Sequence, residues 1–189
     1  MKGLDIYVRA FLFICVMPNK DYIETERLIM RRFTLDDAEA AFEMNADPEV
    51  IKFIPMETAT NLEKVRVSIA KNTIADYEKY GFGRLAVTLK ETGEFMGFSG
   101  LKNDLTIGGV DIGFRLKRKF WGQGYGTESV MPFIDVAFKQ LKLKEIIGAA
   151  MKDNHGSVAI LKKMGLTFTH SELFEGYPFD VYALKNPHL

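Results

Sequence analysis

Metal ligands and disulfide partners are scarce in this sequence, and neither sign of charge is in excess. Its 189 residues include one cysteine, Cys15, and three histidines. An intramolecular disulfide and a multi-thiolate zinc site are therefore excluded, and the spacing of the histidines predicts no metal cage. Lysine plus arginine and aspartate plus glutamate both number 25, a balance that argues against sequence-independent nucleic-acid binding. We expect one globular domain that holds no metal and binds no nucleic acid.

Long hydrophobic runs are also absent. The apolar run Ala10–Met17 near the N-terminus spans eight residues, far short of the roughly 20 that cross a bilayer. It resembles a secretory signal only loosely, because Asp5 lies in what would be the basic region and no A-x-A cleavage site follows. The run is an extra strand or arm on the domain or a partner, or else Met17 is the biological start. We interpret residues 1–20 as an arm or extra strand and 21–189 as the domain, and expect a cytoplasmic protein that does not contact membranes.

Hydrophobic periodicity predicts elements in the order β-α-α-β-β-β-α-β-α-β-β. Thr34 is a candidate helix cap, Gly81 and Gly165 are candidate helix stops, and Pro132 lies inside a predicted helix that it should bend slightly. Predicted strands cover residues 22–33, 82–89, 94–101, 109–116, 145–150, 166–173 and 177–184; predicted helices follow residue 34, end near residue 81, run from about 127 to 141 and cover 154–164. The pattern is typical of an α+β, or mixed α/β, domain on one sheet.

The segment from Phe120 to Glu128 contains three glycines at alternate positions, Gly122, Gly124 and Gly126, between a predicted strand and a predicted helix. Such a loop turns its backbone N–H groups toward one point, where the helix dipole adds positive potential. We therefore predict a phosphate or diphosphate site. No lysine follows the last glycine, which argues against a Walker A loop. The loop also follows an antiparallel meander rather than the first strand of a βαβ unit, which argues against a dinucleotide-binding fold.

Several segments, taken in order, resemble the GNAT N-acetyltransferase superfamily and, within it, the ribosomal-protein N-terminal acetyltransferase (RimJ/RimL-like) branch. They cover roughly residues 22–184 and are Glu26–Arg31, Asp111–Leu116, Trp121–Glu128, Asn154–Ser157 and Lys163–Leu166. Trp121 stands where the wider family has glutamine or arginine. The resemblance implies a single, mostly antiparallel sheet of about seven strands flanked by about four helices.

The resemblance also implies that acetyl-CoA is the cofactor. The loop would hold its diphosphate through Trp121, Gly122, Gln123, Gly124, Tyr125, Gly126 and Thr127. The strand edge at Phe114, Arg115 and Leu116 would pair with the pantetheine arm as an added strand, and Asn154 and Ser157 would bind the arm further along. The mid-strand Gly113 would mark a close approach of the cofactor. Lys117, Arg118 and Lys119 either meet the 3′-phosphate or form a solvated turn.

Acetyl transfer from a thioester to an amine needs a neutral amine, a stabilised oxyanion and a departing thiolate. The tyrosine that many relatives place seven residues after the asparagine is replaced by Leu161. Ser157 is therefore our candidate donor to the sulfur, with a helix first-turn polar residue as the alternative. Asp111 is our candidate base, with an ordinary outward-facing aspartate as the alternative. Glu128 more simply favours the helix dipole. The final hairpin, with Tyr177, Phe179 and Asp180, would border the acceptor, although its aromatics fit a core equally well.

Our leading hypothesis is an acetyl-CoA-dependent N-acetyltransferase that acts on a primary amine by direct attack in a ternary complex. The acceptor is a peptide or protein N-terminus or a small amine. Cys15 lies far from the motif and is a poor candidate nucleophile. The alternatives are a non-catalytic acyl-CoA-binding or sensor module on the same fold, or an interaction protein assembled through its N-terminal arm. A homodimer is compatible with the resemblance.

Overall fold

The computed structural model describes residues 22–104 and 106–189. The predicted arm and Cys15 lie outside these ranges. The strands are β1 (Tyr22–Glu24), β2 (Leu28–Arg31), β3 (Arg84–Leu89), β4 (Phe95–Asp104), β5 (Gly109–Leu116), β6 (Glu145–Met151), β7 (Thr167–Phe174) and β8 (Tyr177–Lys185).

The helices fall in four regions of the chain, as expected, with one short extra turn. They are α1 (Ala38–Ala46), the short α2 (Pro48–Ile51), α3 (Leu62–Ser68), α4 (Ala75–Tyr80), α5 (Tyr125–Val130), α6 (Pro132–Asp135) and α7 (His155–Lys163). A 3₁₀ turn (Leu35–Asp37) precedes α1, a π-helical segment (Ile69–Ile74) joins α3 to α4, and another (Val136–Gln140) extends α6. Pro132 divides the predicted helix into α5 and α6 and occupies the first turn of α6, where its missing N–H costs little.

All the described strands form one eight-stranded sheet in the order β1-β2-β3-β4-β5-β6-β8-β7. Every neighbouring pair is antiparallel except β5 and β6. The mixed α/β class and the single, mostly antiparallel sheet are thus confirmed.

One strand prediction was wrong. Residues 22–33 are two antiparallel strands, with Tyr22 opposite Arg31, and this accounts for the eighth strand. The reversal is held by Thr25, whose N–H donates to the Leu28 carbonyl over 2.9 Å and whose hydroxyl accepts from the Leu28 N–H over 3.1 Å. A Thr-Glu-Arg turn without glycine or proline carries a weak turn signal, so the periodicity alone suggested one continuous strand.

Each face of the sheet carries its own apolar core. On one face, Ile112 and Leu116 of β5 pack among residues of α5, α6 and α7. On the other face, Ala86 of β3 and Phe95 of β4 pack against α1 and the helical segment that begins at residue 69. Because side chains alternate along a strand, the odd-numbered residues of β5 point toward the second face. Within the described residues, no helix is both long enough and apolar enough to span a membrane.

Candidate functional site

The parallel strands β5 and β6 are joined at a single residue pair. Asp111 lies opposite Ile147, and the described part of the chain has no further pair before the strands end at Leu116 and Met151. Beyond this pair the edge of β5 is therefore open. Backbone groups on an open strand edge can hydrogen-bond an extended amide-containing ligand as an additional strand.

The glycine loop lies at the end of β5 and leads into α5. Gly122 and Gly124 have φ of 73° and 85°, in the left-handed region that glycine enters at little cost. A Cβ at Gly122 would have no atom within 4 Å, so the loop is open on this side. Gly126 differs, because it lies in the first turn of α5 and a Cβ there would come within 2.7 Å of Ile160 Cδ1. Gly126 thus permits α5 to pack closely on α7.

Side chains of the loop bind it back to the preceding strand and turn. The Trp121 indole Nε1 donates to the Leu116 carbonyl over 2.8 Å, and the Gln123 side-chain amide donates to the Lys119 carbonyl over 2.8 Å. Trp121 is 46% exposed. The tryptophan that replaces the family's glutamine or arginine therefore anchors the loop to the end of β5 and leaves its ring accessible to a ligand.

A buried cluster that the sequence did not predict joins the loop to the β1–β2 turn. Glu128 is 7% exposed. One of its carboxylate oxygens accepts from the Thr25 hydroxyl over 2.6 Å and from the Arg27 N–H over 2.9 Å; the other accepts from Arg27 Nε over 2.7 Å. Arg27 Nη1 donates to the Gln123 carbonyl over 3.1 Å, and its guanidinium lies 4.1 Å from the centre of the Tyr125 ring. The cluster thus ties the loop and the first turn of α5 to the β1–β2 turn.

Glu128 therefore does more than favour the helix dipole, the role predicted for it. Its partners are 101 and 103 residues earlier in the chain, and no periodicity or spacing predicts a contact over that separation. The sequence showed an acidic residue, Glu128, in the first turn of a helix and an arginine, Arg27, in the Glu26–Arg31 segment. Neither observation identifies the two as a pair.

The second predicted group lies at the start of α7. Asn154 caps this helix, because its Oδ1 accepts from the Ser157 N–H over 3.1 Å. The amide nitrogen of Asn154 and the hydroxyl of Ser157 are the polar groups offered here to a ligand. Leu161 is 2% exposed, and a Cβ on Gly148 would come within 2.5 Å of its Cδ2. The residue that replaces the family's tyrosine is thus a core residue.

The predicted base, Asp111, is engaged by an arginine. Its carboxylate forms an ion pair with the Arg84 guanidinium, which also donates to the carbonyl oxygens of Gly100 and Asp111. Burial raises the pKa of Asp111, and the charge of Arg84 opposes this shift. A Cβ on Gly113 would overlap the Arg84 guanidinium. The close approach predicted at Gly113 thus exists, but Arg84 makes it.

Arg115 shares this polar face, as predicted for it and Asp111. Its Nη1 donates to Asn45 Oδ1 over 2.6 Å and lies 3.5 Å from Met56 Sδ. Its guanidinium lies 5.3 Å from the centre of the Phe98 ring. Burial and the neighbouring charge of Arg84 lower the pKa of Arg115 to about 10.

The basic residues before the loop each contact a carboxylate. Lys117 pairs with Glu43, Arg118 with Asp47 and Lys119 with Glu94. Each pair has at least one exposed side chain, although Lys117 itself is 16% exposed, and an ion pair at such a position contributes little and exchanges readily. The triplet is therefore a paired surface turn in this structure, and its contact with a 3′-phosphate stays a prediction.

The final hairpin divides its predicted residues between surface and core. Tyr177 is 50% exposed, whereas Phe179 is buried and packs edge-to-face on Phe174 with ring centres 5.3 Å apart. Asp180 accepts from the Ser171 hydroxyl over 2.6 Å. Of the two aromatic residues predicted to border the acceptor, Tyr177 is thus the exposed one.

Comparison with known proteins agrees with this architecture. A family model described as an acetyltransferase (GNAT) domain matches residues 27–167. The chain therefore belongs to the GNAT acetyltransferase family, and it is an acetyltransferase.

Two relatives and one solved structure illustrate the similarity. An uncharacterized N-acetyltransferase of Bacillus licheniformis, p20, is 32% identical over 169 residues, which is 85% of this chain and 93% of the relative. The FsC-acetyl coenzyme A-N(2)-transacetylase of Aspergillus fumigatus is 32% identical over 178 residues, 87% of this chain and 70% of the relative. The ribosomal L7/L12 α-N-protein acetyltransferase RimL, solved with coenzyme A, has a TM-score of 0.72 at 17% identity and covers 85% of this chain and 95% of its own. At that identity it supports the fold alone.

Proposed function

We propose that this acetyltransferase moves the acetyl group of acetyl-CoA to a primary amine by direct attack, without an acyl-enzyme. The single pair between β5 and β6 carries the proposal. It leaves the β5 edge open beside the glycine loop, which leads into α5. One extended ligand can therefore contact both the strand edge and the loop. The amides of pantetheine suit the strand edge, and its diphosphate suits the loop. The residues that would hold it are those predicted from the sequence, from Phe114 to Leu116, from Trp121 to Thr127, and Asn154 with Ser157.

The chemistry assigned to the chain's own residues is modest. When the amine nitrogen attacks the thioester carbonyl carbon, the carbon–sulfur bond breaks and its electron pair leaves on sulfur. Ser157 would donate a hydrogen bond to that sulfur, which suffices because a thiol of pKa near 8.5 is a fair leaving group. Asp111 would accept the amine proton through water. Burial raises its pKa and the charge of Arg84 opposes that shift, but a carboxylate stays a much weaker base than an amine, which favours an acceptor of low pKa.

The acceptor class follows from that weakness. An α-amino group has a pKa of about 7.7–8.0, against about 10.4 for a lysine side chain, so at neutral pH lysine costs roughly 3 kcal/mol more to deprotonate. We infer an N-terminal or other low-pKa amine. A place near the RimJ/RimL-like branch is compatible with this and is supported by the motif at Glu26–Arg31 and by Ser157.

Calorimetric titration of coenzyme A into the Gly124→Asp variant tests the loop assignment. The new carboxylate would meet the diphosphate, and affinity should fall at least about 30-fold, the equivalent of about 2 kcal/mol. Gly81→Asp is the control for backbone strain, because Gly81 also has a positive φ, 77°; a Cβ there has open space, whereas a Cβ at Gly124 would lie 3.4 Å from Arg27 Nη2. Equal affinity in two folded variants contradicts the site. Thiol release from acetyl-CoA over a panel of amines then tests turnover, and binding without release would favour a sensor module.

A further inference from the structure

One guanidinium in the described part of the chain lacks the partner that neighbouring arginines have. Arg115 has no carboxylate within ion-pair distance in residues 22–104 and 106–189, and its buried Nε has no hydrogen-bond partner there. Its hydrogen bonds run through Nη1 alone. By contrast, five other arginines each contact a carboxylate: Arg27, Arg31, Arg66, Arg84 and Arg118.

The charges around Arg115 leave its own charge uncompensated. Arg84 is paired with Asp111 and Lys117 with Glu43, so these two acids are already taken. Burying a guanidinium without a counter-charge costs free energy. The neutral carboxamide of Asn45 and the thioether of Met56 do not offset it. A site that keeps such a charge is complementary to an anion.

One nitrogen of this guanidinium is left for a ligand. Nη1 donates to Asn45, and Nε is buried without a partner among the described residues, so a ligand atom does not reach it. Nη2 makes no hydrogen bond in the described residues and is not a buried atom, so it can donate to a carboxylate oxygen in a charge-assisted hydrogen bond. A primary ammonium would be repelled by the same charge.

Arg115 is also placed beside the reaction proposed above. It lies on β5, whose open edge would hold the pantetheine arm, and its side chain points to the face opposite that of α5 and the glycine loop. An acceptor that attacks the thioester must approach from a side that the cofactor does not fill. The α2–α3 connection, which contributes Met56, borders that side.

We propose that the acceptor amine carries a carboxylate, and that Nη2 of Arg115 binds it. This inference rests on the proposed function and adds to it the chemical class of the acceptor, an amino-carboxylate. Arg115 then acts as a specificity determinant, because it distinguishes an acid from its uncharged amide.

Kinetics with matched acceptors test the inference. Dipeptide amides that begin with glutamate or glutamine, and with aspartate or asparagine, differ in one carboxylate. The wild type should prefer the acidic member by about tenfold or more in kcat/KM, the range of a charge-assisted hydrogen bond. Arg115→Met should bring the ratio near one, Arg115→Lys should retain part of it, and Arg66→Met, a change of an exposed arginine on α3, should leave it unchanged. Equal use of acid and amide by the wild type, or a ratio that survives in Arg115→Met, overturns the proposal.

Thermal unfolding gives a readout that needs no turnover. If the charge is uncompensated, Arg115→Met should raise Tm by about 2–4 °C, whereas Arg66→Met should leave it nearly unchanged. A lower Tm in Arg115→Met would mean that the guanidinium is needed to hold the fold, and overturns the proposal. Failure of coenzyme A to bind would instead contradict the proposed function, and the Tm comparison would still decide the state of Arg115.

Discussion

Replacing Glu128 tests whether the cluster beneath the glycine loop stabilises the fold. Glu128→Gln keeps the size of the side chain and one acceptor oxygen for the Thr25 hydroxyl and the Arg27 N–H. It places an amide donor against Arg27 Nε and Nη2, which now lie 2.7 and 2.6 Å from the carboxylate. The lost charge-assisted contact is worth about 1.5–3 kcal/mol, and the 40% exposure of the Arg27 side chain puts the value at the lower end. Glu128→Ala also removes the acceptor for two further donors, so the total loss should reach about 3–5 kcal/mol.

Urea unfolding at neutral pH measures the order of these effects. Glu26→Gln is the control, because Glu26 is exposed in the same turn and its change should stay within about 0.5 kcal/mol. The expected order of destabilisation is Glu128→Ala, then Glu128→Gln, then the control. If Glu128→Gln unfolds at the same urea concentration as the control, the cluster contributes nothing and the reasoning is wrong.

Three further changes have expected outcomes. Tyr77→Phe removes the acceptor of the Phe33 N–H and should cost about 1–2 kcal/mol at neutral pH. Because burial raises the pKa of Tyr77 to about 12, the wild type loses stability as pH rises from about 10 toward 12. The difference in unfolding free energy between wild type and variant, measured by urea titration, should therefore narrow over that range, and a constant difference would contradict the assignment. Ser157→Ala should lower kcat/KM for acetyl-CoA at least about tenfold, because Ser157 is proposed both to hold the cofactor and to donate to its sulfur. An unchanged kcat would remove Ser157 from the reaction. Gly113→Ala places a methyl group against the Arg84 guanidinium and should cost about 1–3 kcal/mol of unfolding free energy. In urea unfolding, the double variant with Arg84→Met should lose less than the sum of the two single losses, and strict additivity would contradict the contact.

Local signals predicted most of the fold. The Gly93 turn between β3 and β4 and the turn at Glu175–Gly176 between β7 and β8 carry positive φ, and glycine in a short gap between alternating segments is a strong hairpin signal. Likewise, the end of α4 at Gly81, with φ of 77°, follows from residue type. Where the turn used ordinary residues, as between β1 and β2, the periodicity missed it.

The polar side chains of the site were less predictable, because their partners are set by the packing of distant strands. Asp111 was chosen for its place on a polar face, and nothing local indicates that Arg84, 27 residues earlier, would reach it across Gly113. The same glycine was interpreted as room for a ligand. A missing side chain in mid-strand predicts a close approach but not the identity of what approaches.

The two arginines on this face show why the distinction matters. Arg84 extends over Gly113 to reach the Asp111 carboxylate, so the one carboxylate on the odd-numbered face of β5 is used within the fold. Arg115, four residues along the same strand, is then left with its charge. Were Asp111 free to pair with a ligand, the face would be neutral and would favour a cationic or neutral acceptor. Because the internal pair removes that carboxylate, the uncompensated charge is positive, and the structure favours an anionic group next to the acceptor's amine.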